Sequence, residues 1–343
     1  MSAENPAEDR TGTAGGDPAG IRPGKALVFP GMSASPFTEV GKFMLVDPVA
    51  RELADRAGEV LGYHLVDRFR DEEGAGDYSE AAQVAFLVNC LASARWAADN
   101  LGFTPDVCTG PSFGEKALAA HTGALSFEDA VRMTAGGARC MEDYFRTAHQ
   151  DVVTHSFLRT PAERLAELFA EFESRGEFHE VSCHVDHDFH MVSMNESSLE
   201  WFLPALRAGG GMSLYTMRPP VHCTAFGPLR ARVEEEVFAG LTFHDPRLPV
   251  VADQDGSVLI TAEGVRTMLL DSFVTPMNWP SVVASLKGLG VRTVCVAGPD
   301  ALFGRVPVTR DAFEVVPASP AVAMRPRSRP RRTAAGAGPA RRA

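Results

Sequence analysis

Gly110-Pro111-Ser112-Phe113-Gly114 stands between a short apolar run, Val107-Cys108-Thr109, and a stretch with helical spacing. A G-x-S-x-G run in that setting constrains the fold more than any other feature of the chain. It describes a strand that turns sharply into a helix and pushes a serine hydroxyl out at the turn. Small residues two before and two after the serine permit the turn. The Phe113 amide, at the helix start, then points where negative charge on an oxygen would gather. The pentapeptide alone is a weak pattern; the strand before it and the helix after it give it weight.

The flanking pattern agrees. Ala26–Phe29 reads as a buried strand ended by Pro30-Gly31, and helices are expected over about 47–61, 79–100 and 127–147. Strands alternating with helices indicate a mostly parallel sheet. The order then changes. Strand 151–158, helix 161–175, strands 179–185 and 188–194, helix 196–208 and strand 212–218 make β-α-β-β-α-β, the ferredoxin-like order. Alternation resumes beyond His222, with strands at 249–253 and 292–297. The expected fold is α/β, a hydrolase-like core carrying an inserted ferredoxin-like α+β subdomain. Residues 25–150 and 219–318 form the large domain and 151–218 the small one, with 1–24 and the basic tail 319–343 disordered.

The net charge is −11, and seven arginines fall after Met324; taking these away leaves −18 on the remainder. That balance excludes nucleic acid as a partner of the body. No apolar run approaches the ~20 residues that span a bilayer, and Met1–Gly24 lacks the apolar core of a signal peptide. A cytoplasmic protein is expected. Six scattered cysteines without a C-x-x-C pair imply reduced, mostly buried thiols.

A serine at its free pKa needs a base. His222, in Pro219-Pro220-Val221-His222-Cys223, lies where the chain re-enters the large domain, and such points line interdomain clefts. By position alone a histidine there serves structure as readily as catalysis.

Phe29-Pro30-Gly31, GPSFGE around Ser112, Gln83 within AAQVAF, the histidine after the insert, Pro276-Met277-Asn278-Trp279 and GPDALFGR (298–305) together resemble the malonyl-CoA:ACP transacylase family over about 25–318. The resemblance implies that Ser112 is acylated and that His222 is its base and later its acid. It also implies an oxyanion hole from the Met32 and Phe113 amides, Gln83 lining the site, and the main-chain carbonyl of Asn278 orienting the histidine. No cofactor or metal follows from it, since the phosphopantetheine is carried by the partners, a donor and an acceptor acyl carrier protein.

Two departures matter. Met32-Ser33-Ala34-Ser35 replaces the family's Gln-Gly-Ser-Gln, which removes side-chain polarity but keeps the amide. Malonyl-using members also carry an arginine four residues before Met141. Here that position is Gly137, and Arg132 and Arg139 point off that face at ~100° per residue. A malonyl carboxylate would be left unpaired. Two glycines, Gly136 and Gly137, suggest room for a longer acyl group, with Gly137 and Val221 as candidate acyl-pocket positions. An arginine-less, free-standing member resembles the trans-acting acyltransferases of macrolactam polyketide assembly, above all the dipeptidyl acyltransferases of the vicenistatin type. The expected activity is transfer of an aminoacyl or dipeptidyl β-amino acyl starter between carrier proteins. The alternatives are a malonyl transacylase, an editing thioesterase on the same fold and a non-catalytic carrier-binding module.

Carrier proteins are acidic, so an acidic enzyme needs local basic contacts at the cleft mouth. Arg159, Arg218 and Arg305 are candidates, with Met212 as an apolar contact. His184, Asp186, Asp188 and His190 share a strand face at period two. They are read as solvated strand ends, not as a metal site.

Overall fold

The computed structural model describes residues 24–73, 78–220 and 222–325. The large domain begins with β1 (Lys25–Val28), followed by α1 (Phe37–Val46), α2 (Pro48–Leu61), α3 (Leu65–Asp71) and α4 (Glu80–Leu101). Next come β2 (Val107–Thr109), α5 (Gly114–Thr122) and α6 (Phe127–Thr147). Local chemistry sets the ends of these elements. Asp47 caps α2 by accepting from the Val49 and Ala50 amides, Pro48 opens it, and Gly62 closes it in the left-handed region. Ser79 and Ser126 cap α4 and α6 in the same way. Ala81–Ser93 is buried except for half-buried Leu91, so α4 runs through the core rather than along its surface.

The insert follows as β3 (Val152–Leu158), α7 (Ala162–Arg175), β4 (His179–Asp186), β5 (Phe189–Asn195), α8 (Leu199–Ala208) and β6 (Met212–Met217). Leu165, Leu168 and Phe172 of α7 pack with Phe157, Phe202 and Leu206 in a core of their own. The chain then returns through α9 (Gly227–Glu236), β7 (Val250–Val251), β8 (Val258–Leu259), α10 (Ala262–Asp271), β9 (Met277–Asn278) and α11 (Trp279–Gly288). It closes with β10 (Thr293–Ala297), α12 (Pro307–Arg310), β11 (Glu314–Ala318) and α13 (Pro320–Ala323).

The large sheet has the order β11-β10-β1-β2-β7-β8, parallel except for the β7–β8 pair. Its inner strands β10, β1, β2 and β7 are mostly buried, as a sheet covered by helices requires, while the edge strands β11 and β8 are partly exposed. The small sheet has the order β6-β3-β5-β4-β9. Its first four strands are antiparallel; β9, from the large domain, joins β4 in parallel through Cys183–Met277 and His184–Asn278. This fifth strand lies outside the expected β-α-β-β-α-β unit and joins the two domains through hydrogen bonds.

The expected disorder from 319 onward needs correction. Ser319 caps α13 by accepting from the Val322 amide, and Ala323 and Met324 pack against the cluster of Phe43, Ala50 and Ala92. Burying those apolar groups holds the segment through Arg325. Residues 1–23 and 326–343 lie outside the described residues. No helix among the described residues is long and apolar enough to cross a membrane.

Candidate active site

Ser112 sits between β2 and α5 with φ 53°, a conformation a serine adopts only when its surroundings impose it. A Cβ on Gly110 would fall 2.4 Å from the Gly114 main chain, and one on Gly114 would fall 2.1 Å from the Phe29 carbonyl oxygen. The motif needs glycine at both positions because strand and helix approach to backbone distance. Gly114, Glu115 and Lys116 donate to the carbonyls of Pro111, Ser112 and Phe113 at 3.0–3.1 Å, whereas the Phe113 amide takes no part in this turn. Phe113, Met32 and Ser112 all line one cavity.

His222 meets the serine at the domain seam, Nε2 to Oγ, at 2.8 Å. It is buried and has φ 55°. Burial lowers its pKa, while the Asp253 charge and the Ser272 main chain act the other way. The imidazole is thus neutral near pH 7, with its Nε2 lone pair available to the serine proton.

The support behind His222 differs from the expectation. Asn278 donates its amide to Asp253 O at 2.8 Å, and its side chain caps α11 by accepting from the Ser281 amide. The Ser272 backbone, at the C-terminal end of α10, acts to raise the imidazole pKa. Nδ1 is buried and lacks an acceptor at hydrogen-bond distance and angle. A helix C-terminus carries partial negative charge, which favours an imidazolium formed next to it.

Two acids lie beneath the nucleophile. Asp253 Oδ2 accepts the Ser112 N–H at 2.5 Å, and Gln254 donates to Glu115 Oε1 at 3.0 Å. The remaining oxygens, Asp253 Oδ1 and Glu115 Oε2, are buried and have no donor. Burial, then the Asp253 charge, pushes Glu115 well up.

A third acid reaches over from the small domain. Glu180 of β4 accepts from Cys223 Sγ and the Thr224 amide at 2.7 Å each, and also from Thr224 Oγ1. It therefore grips the two residues that follow His222. Nothing in the sequence pattern singled out Glu180, Asp253 or Glu115, because their partners lie 43 or more residues away or, for Glu115 and Asp253, on separate elements.

The cavity, of about 780 Å³, extends from Ser112 and His222 between both domains. Gln83 lines it, held by donating to Tyr78 O at 2.9 Å. Met141, Phe189, Met191, Leu214 and Phe303 give it an apolar wall. A Cβ built at Gly137 meets no atom within 4 Å, but Gly137 is not among the residues that line the cavity, whereas Met141, one turn further along α6, is. Gly136 differs: a Cβ there would lie 2.9 Å from Val237, whose side chain fills the position. Arg139 is committed to Glu80 at 2.6 Å and Arg132 to Asp129 at 2.8 Å, both away from the cavity. Val221 lies outside the described residues.

Among the candidate docking residues, Arg159, Met212, Arg218 and Arg305 are all exposed. Arg218 lines the cavity mouth but is paired with Glu196, whereas Arg159 and Arg305 have no ion pair among the described residues. His184 and His190 meet Nδ1 to Nδ1 at 3.1 Å. No group of three or more His, Cys, Asp or Glu that could hold a metal occurs among the described residues.

Known proteins resemble this arrangement. A family model described as the VinK acyltransferase small domain matches residues 156–217. The malonyl CoA-acyl carrier protein transacylase of Escherichia coli O157:H7 is 22% identical over 287 residues, 80% of this chain and 88% of that protein. The chain is an acyltransferase similar to the malonyl CoA-acyl carrier protein transacylases. Two solved structures share the fold. FabD from Acinetobacter baumannii is 17% identical with a TM-score of 0.77, over 88% of this chain and 95% of its own. A malonyl-transacylase in complex with a type II polyketide synthase acyl-carrier protein is 20% identical with a TM-score of 0.78, over 88% and 97%.

Proposed function

We propose that this acyltransferase transfers a non-malonyl acyl group, a dipeptidyl or aminoacyl β-amino acyl starter, between two acyl carrier proteins in macrolactam assembly of the vicenistatin type. Ser112 Oγ attacks the donor thioester while His222 Nε2 takes its proton. The Phe113 and Met32 amides receive the oxyanion, whose stabilisation by one donor is worth roughly 3–4 kcal/mol in comparable sites. The intermediate collapses, and the departing pantetheine sulfur takes the proton from His222. In the second half-reaction His222 deprotonates the acceptor thiol, which attacks the acyl-serine and releases Ser112.

One observation carries the choice of acyl group. The space at Gly137 is open, and Arg132 and Arg139 of the same helix are paired elsewhere, so that helix offers a malonyl carboxylate no bidentate partner. Two further observations support the reading: the apolar wall of the cavity, and the match of the small domain to an acyltransferase small-domain family. The rival is a malonyl transacylase, favoured by the names of the relatives matching along most of the chain.

The deciding measurement is kcat/KM for malonyl and for neutral N-acylated β-aminoacyl thioesters on the parent enzyme. An unpaired carboxylate costs several kcal/mol, so the malonyl donor is expected to be at least about a hundredfold poorer. Gly137→Arg should narrow the gap. Efficient malonyl transfer by the parent enzyme rejects the non-malonyl reading.

A further inference from the structure

Lys116 brings into the acyl cavity a cation that the reaction above does not use. It stands one turn beyond Ser112 on α5, and helical side chains lean back toward the N-terminus, so its ammonium returns toward the nucleophile. The residue is half-buried and lines the cavity. Nζ lies 3.3 Å from Gln83 Oε1 and 4.6 Å from the centre of the Phe113 ring. Among the described residues Lys116 makes no ion pair.

Its neighbour Glu115 turns under the elbow toward Asp253 and is held toward its neutral form by burial. An ammonium has three donors. Gln83 takes one and the aromatic face attracts another, which leaves a donor for whatever enters. Burial lowers the lysine pKa to about 8, so it stays mostly charged at neutral pH. The wall around it is apolar.

We infer that Lys116 determines specificity by reading the nitrogen of a β-amino acyl group: it accepts the group when that nitrogen is capped as an amide and rejects it as a free ammonium. This rests on the acyl-transfer reading above. Capping removes the positive charge and adds a carbonyl oxygen a few ångströms beyond the acyl-serine carbonyl, within reach of a side chain one helical turn away. A free ammonium instead meets a like charge in a partly desolvated space where the nearby acid, Glu115, is held toward its neutral form by burial. Rejection of this kind discriminates between near-identical ligands better than added attraction does.

The test uses the full-length enzyme with matched pantetheine thioesters: a β-aminoacyl group, its N-acylated amide, a plain alkanoyl group and malonyl. Acylation rates are read by intact mass. The parent is expected to take the amide about a hundredfold faster than the free amine. Lys116→Met should collapse that ratio to below about tenfold. Lys116→Gln keeps an N–H donor without the charge, so it should lose rejection of the amine yet keep the preference of amide over alkanoyl. Parent-like melting curves establish that the variants fold.

An amide-to-amine ratio unchanged in Lys116→Met overturns the assignment. So does a parent enzyme that takes amide and amine equally. Efficient malonyl use, together with a ratio that Lys116→Met still collapses, overturns only the choice of acyl group in the preceding section and upholds Lys116 as the reader.

Discussion

Asp253 holds Ser112 from beneath, its Oδ2 accepting the serine's backbone N–H at 2.5 Å. The nucleophile's left-handed conformation is therefore tied to an acid 141 residues away, and that acid in turn faces Glu115. Both carboxyls are pushed up, chiefly by burial, which favours one proton shared between them.

Glu115→Gln should remove an infrared band from a buried protonated carboxyl. The linkage sign follows from the raised value. The stabilisation is fully present below the unfolded glutamate value of about 4.3 and is lost as pH rises through the folded one. The melting temperature of Glu115→Gln relative to the parent should therefore increase from pH 5 to pH 8. A difference independent of pH would refute the shared proton.

Ser112→Ala should form no acyl adduct by intact mass while melting like the parent. His222→Ala should slow both half-reactions by about 10²–10⁴-fold, since one base serves each. Because burial keeps the imidazole below its ordinary value, acylation by the parent should hold its rate as the pH falls past about 6.5 and decline only at lower pH. A decline centred at or above the ordinary value contradicts a buried neutral base.

Glu180→Gln exchanges a carboxylate that accepts three hydrogen bonds for an amide that fits them poorly. The expected result is a roughly tenfold loss of kcat, about 1.4 kcal/mol, with KM little changed. Single-turnover measurements should find acylation and deacylation slowed alike, because the same histidine is misplaced in both. Loss confined to one half-reaction would assign Glu180 to substrate contact instead.

Charge reversal at Arg159 or Arg305 should weaken affinity for the acidic carrier protein and leave reaction with a small pantetheine thioester nearly unchanged. Arg218→Glu should have the smaller effect on affinity, since Glu196 already engages that guanidinium. Equal losses with carrier and small thioester would place these arginines in the fold or the site rather than on a docking surface.

Much of the architecture was legible from local pattern. The caps Asp47, Ser79 and Ser126 mark helix starts in the sequence because their hydrogen bonds close within three residues. The elbow is equally local, since Gly110 and Gly114 answer to backbone contacts that any strand–turn–helix of this kind makes. The tertiary structure decided the rest. β9 is two residues long, too short for periodicity, and exists only because β4 offers it an edge.

Gly136 and Gly137 look alike in sequence, but Val237 arrives against one and not the other. That the Ser272 backbone acts on His222 depends on where α10 ends relative to the seam. Lys116 reads as an ordinary helix lysine until the insert's strands close a cavity over it. By itself the sequence determined which residues can turn, cap and react, because those properties are covalent or local. Which charges are buried together, and which face open space, depended on long-range packing that brings distant elements within a few ångströms.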